Sequence, residues 1–352
     1  MSLFEPLQQR GLRLRNRIVV SPMCEYSATD GLPNHWHLVH LGSRAVGGVG
    51  LVITEATAVS AEGRISYGDT GIWNDAQVAA WQPITAFIRS QGAHVGVQLA
   101  HAGRKASAQL PWQGGGPLGK DESPWPTVAP SARPFDEGWH VPAELDEAGI
   151  EAVIEAFRIA AGRAAAAGFE LVEIHAAHGY LLHQFLSPLS NHRTDRWGGD
   201  LEGRTRLLRE VVRAVREVWP ETLPVWVRLS ATDWTDGGWD DTMSVELSRM
   251  LKALGVDLVD VSSGGNVPHA KIPAGPGYQV PFASRIRHEA GIATGAVGMI
   301  IDSAQADAVI REGAADVVLL ARELLRDPYF PRRAASELGV TIQAPVQYKR
   351  AW

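Results

Sequence analysis

A (β/α)₈ barrel is the fold class this sequence predicts, and three observations predict it. Eight short apolar runs recur along the chain, with helical stretches between them. The runs are close to continuously apolar rather than alternating, as parallel strands covered by helices are. Eight βα units fit a chain of 352 residues with room left for insertions. A doubly wound sheet is the competing architecture. It calls for a glycine fingerprint after the first strand, and Ser21-Pro22-Met23-Cys24 is not one.

In chain order, Ile18-Val19-Val20-Ser21 reads as the first strand after an N-terminal lead-in, and a helix follows over 35–46. Leu51-Val52-Ile53-Thr54 is the second strand, followed by a helix over 75–91. Val95-Gly96-Val97-Gln98-Leu99 is the third. A helix over 148–167 precedes the fourth, 171–174, and one over 201–218 precedes the fifth, 225–229. Helices over 242–254, 280–290 and 303–311 precede strands at 258–261, 292–294 and 317–320, and a last helix starts at Glu323. Residues 104–145 form the one clear insertion, crowded with Gly, Pro and Trp. After strand three it falls over the C-terminal mouth of a barrel, where active sites form. It reads as a capping excursion within a single domain spanning 1–352, with an inert surface loop as the alternative.

Composition narrows the function classes. Apolar residues make up 45% and charged residues 20%, the range of an ordinary globular domain. Lys and Arg number 33 against 39 Asp and Glu, for a net charge of -6, which does not suggest a nucleic-acid or membrane surface. No apolar stretch approaches the twenty or so residues of a membrane span. The first ten residues lack the basic-then-apolar form of a signal peptide, so a cytoplasmic address is expected. Cys24 is the only cysteine, which excludes an intramolecular disulfide and a cysteine-ligated cluster.

The densest chemistry lies in Glu170-Leu171-Val172-Glu173-Ile174-His175-Ala176-Ala177-His178-Gly179-Tyr180. His175 and His178 are three apart, and one helical turn after the strand puts both rings on one side. Two imidazoles so placed donate hydrogen bonds to one ligand oxygen, with Tyr180 near to deliver a proton. A structured loop and a two-histidine start to a metal site are the other readings of the same pattern.

Residues after the strands converge in a barrel. Pro22, Met23 and Cys24 follow strand one, Ala56 follows strand two, Gln98 ends strand three and Arg228 lies in strand five. Ser262, Ser263, Gly264 and Gly265 follow strand six, Val297 and Gly298 strand seven, and Ala321 and Arg322 strand eight. Glycine turns and arginines at strands five to eight suit a phosphate, though glycines that merely turn the chain fit too. Few carboxylates stand at these ends, which disfavours a glycosidase pair or an oxygen-ligated metal. Asp233, Asp236, Asp240 and Asp241 lack the order of a calcium loop and read as a loop plus a helix cap.

Taken together, Ser21-Pro22-Met23-Cys24, the run from Gln98 to Lys105, the His175–Tyr180 segment, the run from Ser187 to Asp195, Gly295-Ala296-Val297-Gly298 and the end from Pro345 to Trp352 resemble the old yellow enzymes. These are flavin-dependent ene-reductases, and the likeness is to their thermophilic-like and xenobiotic-reductase branch. The resemblance implies non-covalent FMN, NADPH in preference to NADH as reductant, and activated alkenes conjugated to carbonyl or nitro groups as substrates. Hydride then reaches the β-carbon and Tyr180 protonates the α-carbon, while His175 and His178 hold the substrate oxygen. By the same resemblance Ser21, Pro22, Met23, Cys24, Ala56, Gln98, Arg228, Ser263, Gly264, Gly265, Val297, Gly298, Ala321 and Arg322 contact the cofactor. Tyr26 and Lys105 face the substrate, and Arg350, in the tail 341–352, reaches into a neighbouring subunit's site, so a homodimer or dimer-based tetramer is implied. The family usually has glycine where this chain has Ala321, whose methyl would crowd a phosphate contact. A dienoyl-CoA-type reductase needs an iron–sulfur cluster and a further flavin domain, which one cysteine and this length disfavour. A metal-dependent barrel hydrolase and a flavin-binding protein without turnover are the remaining classes.

Overall fold

The computed structural model describes residues 1–352. Eight parallel strands close into a barrel: β1 (Ile18–Val20), β2 (Leu51–Ala58), β3 (His94–Ala100), β4 (Leu171–Ala176), β5 (Val225–Ser230), β6 (Leu258–Ser262), β7 (Ala293–Ala296) and β8 (Val317–Leu320). Each pairs with the next, and β8 pairs back to β1. The helices packed outside are α1 (His35–Gly47), α2 (Asp75–Ser90), α3 (Glu147–Ala166), α4 (Leu201–Val218), α5 (Asp241–Ala253), α6 (Val280–Ala290), α7 (Ser303–Arg311) and α8 (Phe330–Glu337). No helix is long and apolar enough to cross a membrane.

Helix starts are set chemically. Asn34, Asn74, Asp146, Asp200, Asp240 and Asp302 each accept a backbone N–H of the first turn. Such caps are worth about 1 kcal/mol apiece. Asp240 is thus the helix cap expected of the acidic cluster.

The strands differ from expectation in one instructive way. They are buried on both faces, but the inward face turns polar toward the C-terminal ends. Outward residues such as Val172, Ile174, Val227, Leu229, Val259 and Val261 join the large core shared with the helices. Inward residues form layers, because side chains alternate with period two. The bottom layer is apolar: Val19, Leu51, Leu171, Trp226, Leu258 and Val317 pack with Leu14 from the N-terminal hairpin. That hairpin, Leu7–Gln9 with Leu12–Leu14, closes the barrel floor, and Trp226 Nε1 donates to Gln9 Oε1 at 2.6 Å. One step up stand Glu173 and Asp260 with Arg228. The next step brings His175, Ser230 and Ser262 to the mouth. Burying each large apolar side chain in the floor contributes roughly 1.5–3 kcal/mol, which offsets the cost of the polar layer above it.

The excursion between β3 and α3 is a chain of short 3₁₀ turns with one small parallel pair, Val128–Ala129 with Ala143–Glu144. It packs on the mouth through Arg104 and Lys105.

Candidate active site

His175 is the penultimate residue of β4, and His178 lies in a tight turn beyond it with φ 59°. The pair is therefore not presented by a helical turn, as its spacing suggested. The strand end and a left-handed backbone bring the rings together, with centroids 5.2 Å apart and planes at 82°. Tyr180 then starts a short helix, Leu181–Leu186, and its ring lies 5.0 Å from that of His175.

Both imidazoles are held neutral. Burial pushes His175 and His178 well below their ordinary values, with Arg228 the next influence on each. A neutral ring has one N–H to give. His175 Nδ1 accepts from Ala177 N at 3.3 Å, so its proton belongs on Nε2. His178 Nε2 lies 2.7 Å from Ser262 Oγ, which also faces Gln279 Oε1 at 3.3 Å. The Tyr180 hydroxyl is pushed well above its ordinary value by burial and then by Cys24 and Asp69, so it stays protonated and is suited to giving a proton. No third residue of metal-ligating type completes a site around the two histidines.

Beside them opens a cavity of about 410 Å³ across the ends of β5 to β8 and β1. Seven of the fourteen expected cofactor residues line it: Ser21, Pro22, Arg228, Val297, Gly298, Ala321 and Arg322. Arg326 and Met299 add to its wall, and Met299, at φ 53°, follows Gly298 at φ 126°. Two successive positive-φ residues are the kind of strained backbone that collects at ligand clamps. Arg228 Nε forms an ion pair with Asp260 at 2.8 Å and Nη2 donates to Ser21 Oγ at 3.0 Å, leaving Nη1 without a protein partner on the cavity wall. Ala321 has φ -104° and ψ -95°, outside the ordinary helical and extended regions but with φ negative, where the short helix Arg322–Arg326 begins.

The other expected cofactor residues lie outside this cavity. Gln98 is in the barrel interior, its Nε2 donating to Glu173 Oε1 at 2.8 Å. Ser263 Oγ donates to Gln279 Oε1 at 2.7 Å. The N–H of Gly264 goes to Thr232 O at 2.8 Å, and a Cβ on Gly265 would stand 2.7 Å from His178 Cα. Those glycines turn the chain beneath His178. Ala56 and Tyr180 line a tight crevice with Asp69, whose carboxyl burial pushes up to about 7. Cys24 is partly exposed as a residue, yet burial of its thiol, with Asp69 and Glu55 adding, holds it protonated. Met23 is partly buried against the core. Tyr26, at φ 48°, packs edge-on to Trp112 with centroids 6.1 Å apart.

Lys105 is turned to the protein. Its Nζ donates to His178 O at 2.9 Å and Gly265 O at 3.2 Å, and it lies 5.0 Å from the Tyr180 ring centre. Burial, with Arg104 second, lowers it to about 8. Arg350 is exposed in the tail. Residues 343–347 run past Arg15, Val46 and Gln91, at the ends of α1 and α2 remote from the mouth, and Trp352 stacks on Tyr329 of its own chain.

Glu173, Asp260, Asp233 and Lys105's true contacts were the residues least visible beforehand. A legible signal existed for two of them: a lone acid inside an otherwise apolar run, as in Leu171-Val172-Glu173-Ile174 and Leu258-Val259-Asp260-Val261.

A closed parallel barrel with a basic cavity at strands five to eight and neutral imidazoles beside it defines the class of flavin oxidoreductase barrels, and comparison with known proteins agrees. The sequence profile of the NADH:flavin oxidoreductase / NADH oxidase family matches residues 2–340. The chain belongs to this family, that of the old yellow enzymes. It is 51% identical to an NADPH dehydrogenase of Geobacillus sp. strain WCH70, over 99% of this chain and 98% of that one. To an NADPH dehydrogenase of Bacillus subtilis strain 168 it is 47% identical, over 99% of each. Among solved structures, morphinone reductase in complex with tetrahydroNAD superposes with a TM-score of 0.79 at 30% identity, over 98% of this chain and 93% of that one. The old yellow enzyme homologue of Zymomonas mobilis gives 0.80 at 28% identity, over 99% and 96%. The protein is an oxidoreductase of the NADPH dehydrogenase kind.

Proposed function

We propose that this oxidoreductase uses FMN, reduced by NADPH, to saturate the C=C bond of α,β-unsaturated carbonyl or nitro compounds. The observation that carries this reading is the adjacency of two neutral imidazoles and a protonated tyrosine to a basic cavity of about 410 Å³. The residues present suit FMN. Arg322 and Arg326 at the rim match a phosphate, and the free Nη1 of Arg228 matches an electron-rich ring edge. When bound, FMN supplies the hydride.

The chain's own side chains do the rest. His175 and His178 hydrogen-bond the substrate's carbonyl or nitro oxygen, drawing electron density out of the alkene and stabilising the negative charge that develops on that oxygen. Neutral rings serve this purpose without holding the product oxygen as a full ion pair. Tyr180 gives its phenolic proton to the α-carbon. Arg228 offers fixed positive charge at the cavity wall, partly balanced by Asp260.

The test is direct. The purified protein is expected to be yellow, to carry about one FMN per chain, and to oxidise NADPH faster when cyclohexenone or a nitroalkene is supplied. A colourless protein that FMN does not reconstitute sinks the cofactor assignment. A flavoprotein that consumes NADPH but leaves every enone and nitroalkene unreduced sinks the substrate assignment.

Assembly belongs to the same reading. The tail lies at the end of the barrel remote from its own mouth, so Arg350 can complete an active site only on a second subunit. A homodimer or dimer-based tetramer related by two-fold symmetry brings this about. Deleting residues 348–352 is expected to weaken the dimer and raise the apparent KM for enone together. Light scattering and steady-state kinetics on the truncated chain check it, and a full-length monomer at micromolar concentration refutes it.

A further inference from the structure

The His178–Gly179 turn is held by side chains at all four of its backbone polar groups. His178 N–H donates to Ser230 Oγ at 2.9 Å, and His178 O accepts from Lys105 Nζ at 2.9 Å. Gly179 N–H donates to His183 Nδ1 at 2.9 Å, and Gly179 O accepts from Gln184 Nε2 at 2.7 Å. Both residues have left-handed backbones, φ 59° and 73°. A histidine there is strained, and such a conformation persists only where its surroundings over-determine it. A Cβ on Gly179 would come within 2.2 Å of Gly265 O, so the turn has no room to relax sideways. The turn sits between the donor ring of His178 and the hydroxyl of Tyr180, so its geometry sets both.

One of the four supports differs in kind. An imidazole accepts at Nδ1 only when Nδ1 carries no proton, so the His183 ring is neutral with its proton on Nε2. Asp233 lies on that side, with Oδ1 3.0 Å from His183 Nε2. Asp233 Oδ2 is fixed by Ser187 Oγ at 2.5 Å and by Trp239 N–H at 2.9 Å. Both residues are completely buried. The hydrogen bonds from Ser187 and Trp239 favour the ionised carboxylate of Asp233 against the burial that pushes it up. A carboxylate 3.0 Å from Nε2, in ion-pair contact rather than in line with an N–H, favours by its charge the tautomer that leaves Nδ1 free for Gly179.

We infer that His183 and Asp233 are positioning residues for the reaction, a buried dyad whose tautomer fixes the Gly179 amide and through it the settings of His178 and Tyr180. Asp233 acts two steps from the substrate: it selects the His183 tautomer, His183 holds the turn, and the turn aims the donors. This rests on the proposed roles of His178 and Tyr180. The tests therefore include readouts that survive if alkene reduction is not the activity.

Asp233→Asn is the informative change. With its oxygen kept toward Trp239 N–H and Ser187, the amide nitrogen faces His183 Nε2 and favours the opposite tautomer. Nδ1 then carries a proton against the Gly179 N–H. Three measurements on the FMN-loaded enzyme are expected to agree. Oxidation of pre-reduced enzyme by enone slows at least about tenfold, the order expected for a mispositioned donor. Binding of a phenol, read from its long-wavelength absorbance with oxidised flavin, weakens by a similar factor. Flavin content and oxidation of reduced enzyme by oxygen stay within about twofold, a margin set against that tenfold loss.

His183→Asn provides the second variant, because its Oδ1 accepts the Gly179 N–H with no tautomer to select. It is expected to keep more of the alkene activity than Asp233→Asn, and adding Asp233→Asn to it should cost little more. In a His178→Ala background the loss from Asp233→Asn should shrink, since the ring being aimed is gone. A loss that is equal in that background, or that phenol binding does not share, overturns the inference. So does a loss matched by equal loss of flavin, which marks a purely structural role. Failure of the substrate proposal would look different: wild-type enzyme inert to enones, with phenol binding still sensitive to Asp233→Asn.

Discussion

Replacing both His175 and His178 by alanine is expected to slow reduction of an enone by at least about a hundredfold, the cost of losing donors to developing negative charge. The rings touch at 5.2 Å between centroids and are held neutral by burial, so each has one N–H to give and no charge to lose. Removing both takes away the two rings whose N–H groups would meet the substrate oxygen. Flavin binding is expected to suffer less, because of the pair only His178 lines the cofactor cavity, which Ser21, Arg228, Gly298 and Arg322 also bound. The measurement is stopped-flow oxidation of photoreduced enzyme by enone, which avoids any part the histidines play toward nicotinamide. His178→Asn alone makes a sensitive control. Asparagine tolerates the left-handed backbone at φ 59° and keeps an N–H donor, so its loss is expected to be much the smaller. Unchanged oxidation rates in the double variant would remove the pair from the mechanism.

The barrel was legible because its signals are local. Continuous apolar runs and helical periodicity gave α4, α6 and α7 their full extents, and Asp240 its role as a cap. The strand ends were less well placed. β4 runs on through His175 and Ala176, because inward polar residues end the apolar pattern before they end the hydrogen-bonded ladder. The same effect hid the polar layer: Glu173 and Asp260 interrupt their runs singly and meet only when strands β4 to β6 align. The histidine pair was recognisable by type, but its geometry depends on a left-handed turn that spacing alone does not reveal. Asp233 read as a loop residue because its partner, His183, is fifty positions away and on another element. Lys105 was assigned to substrate by resemblance, yet in the structure its hydrogen bonds go to the carbonyls of His178 and Gly265.

The second large effect is expected at Arg228, through the layer beneath the cavity. Glu173 and Asp260 are both completely buried, and Arg228 Nε stands 2.8 Å from Asp260. Burial and the neighbouring Asp260 push Glu173 up to about 8, and burial pushes Asp260 up to about 6 against the pull of Arg228. Near neutral pH the pair therefore holds about one proton, balanced by one guanidinium. Arg228→Leu removes the only cation and is expected to destabilise the fold by roughly 3–5 kcal/mol, the cost of stranding a buried charge. The pH dependence has a definite sign. A carboxyl whose folded pKa is raised favours folding most when protonated, so its contribution is complete below the unfolded value and is lost as pH rises through the folded value. Without Arg228 the folded values rise further, so the variant should lose little stability near pH 5 and most near pH 8. Arg228→Leu with Asp260→Asn removes both charges and is expected to recover most of the stability and flatten the pH dependence. It should not recover flavin, since the free Nη1 on the cavity wall is still missing. Thermal unfolding across that pH range, with flavin content measured on the same samples, separates the two roles of the arginine. Equal destabilisation at both ends of the range would show that the buried charge is not what Arg228 neutralises.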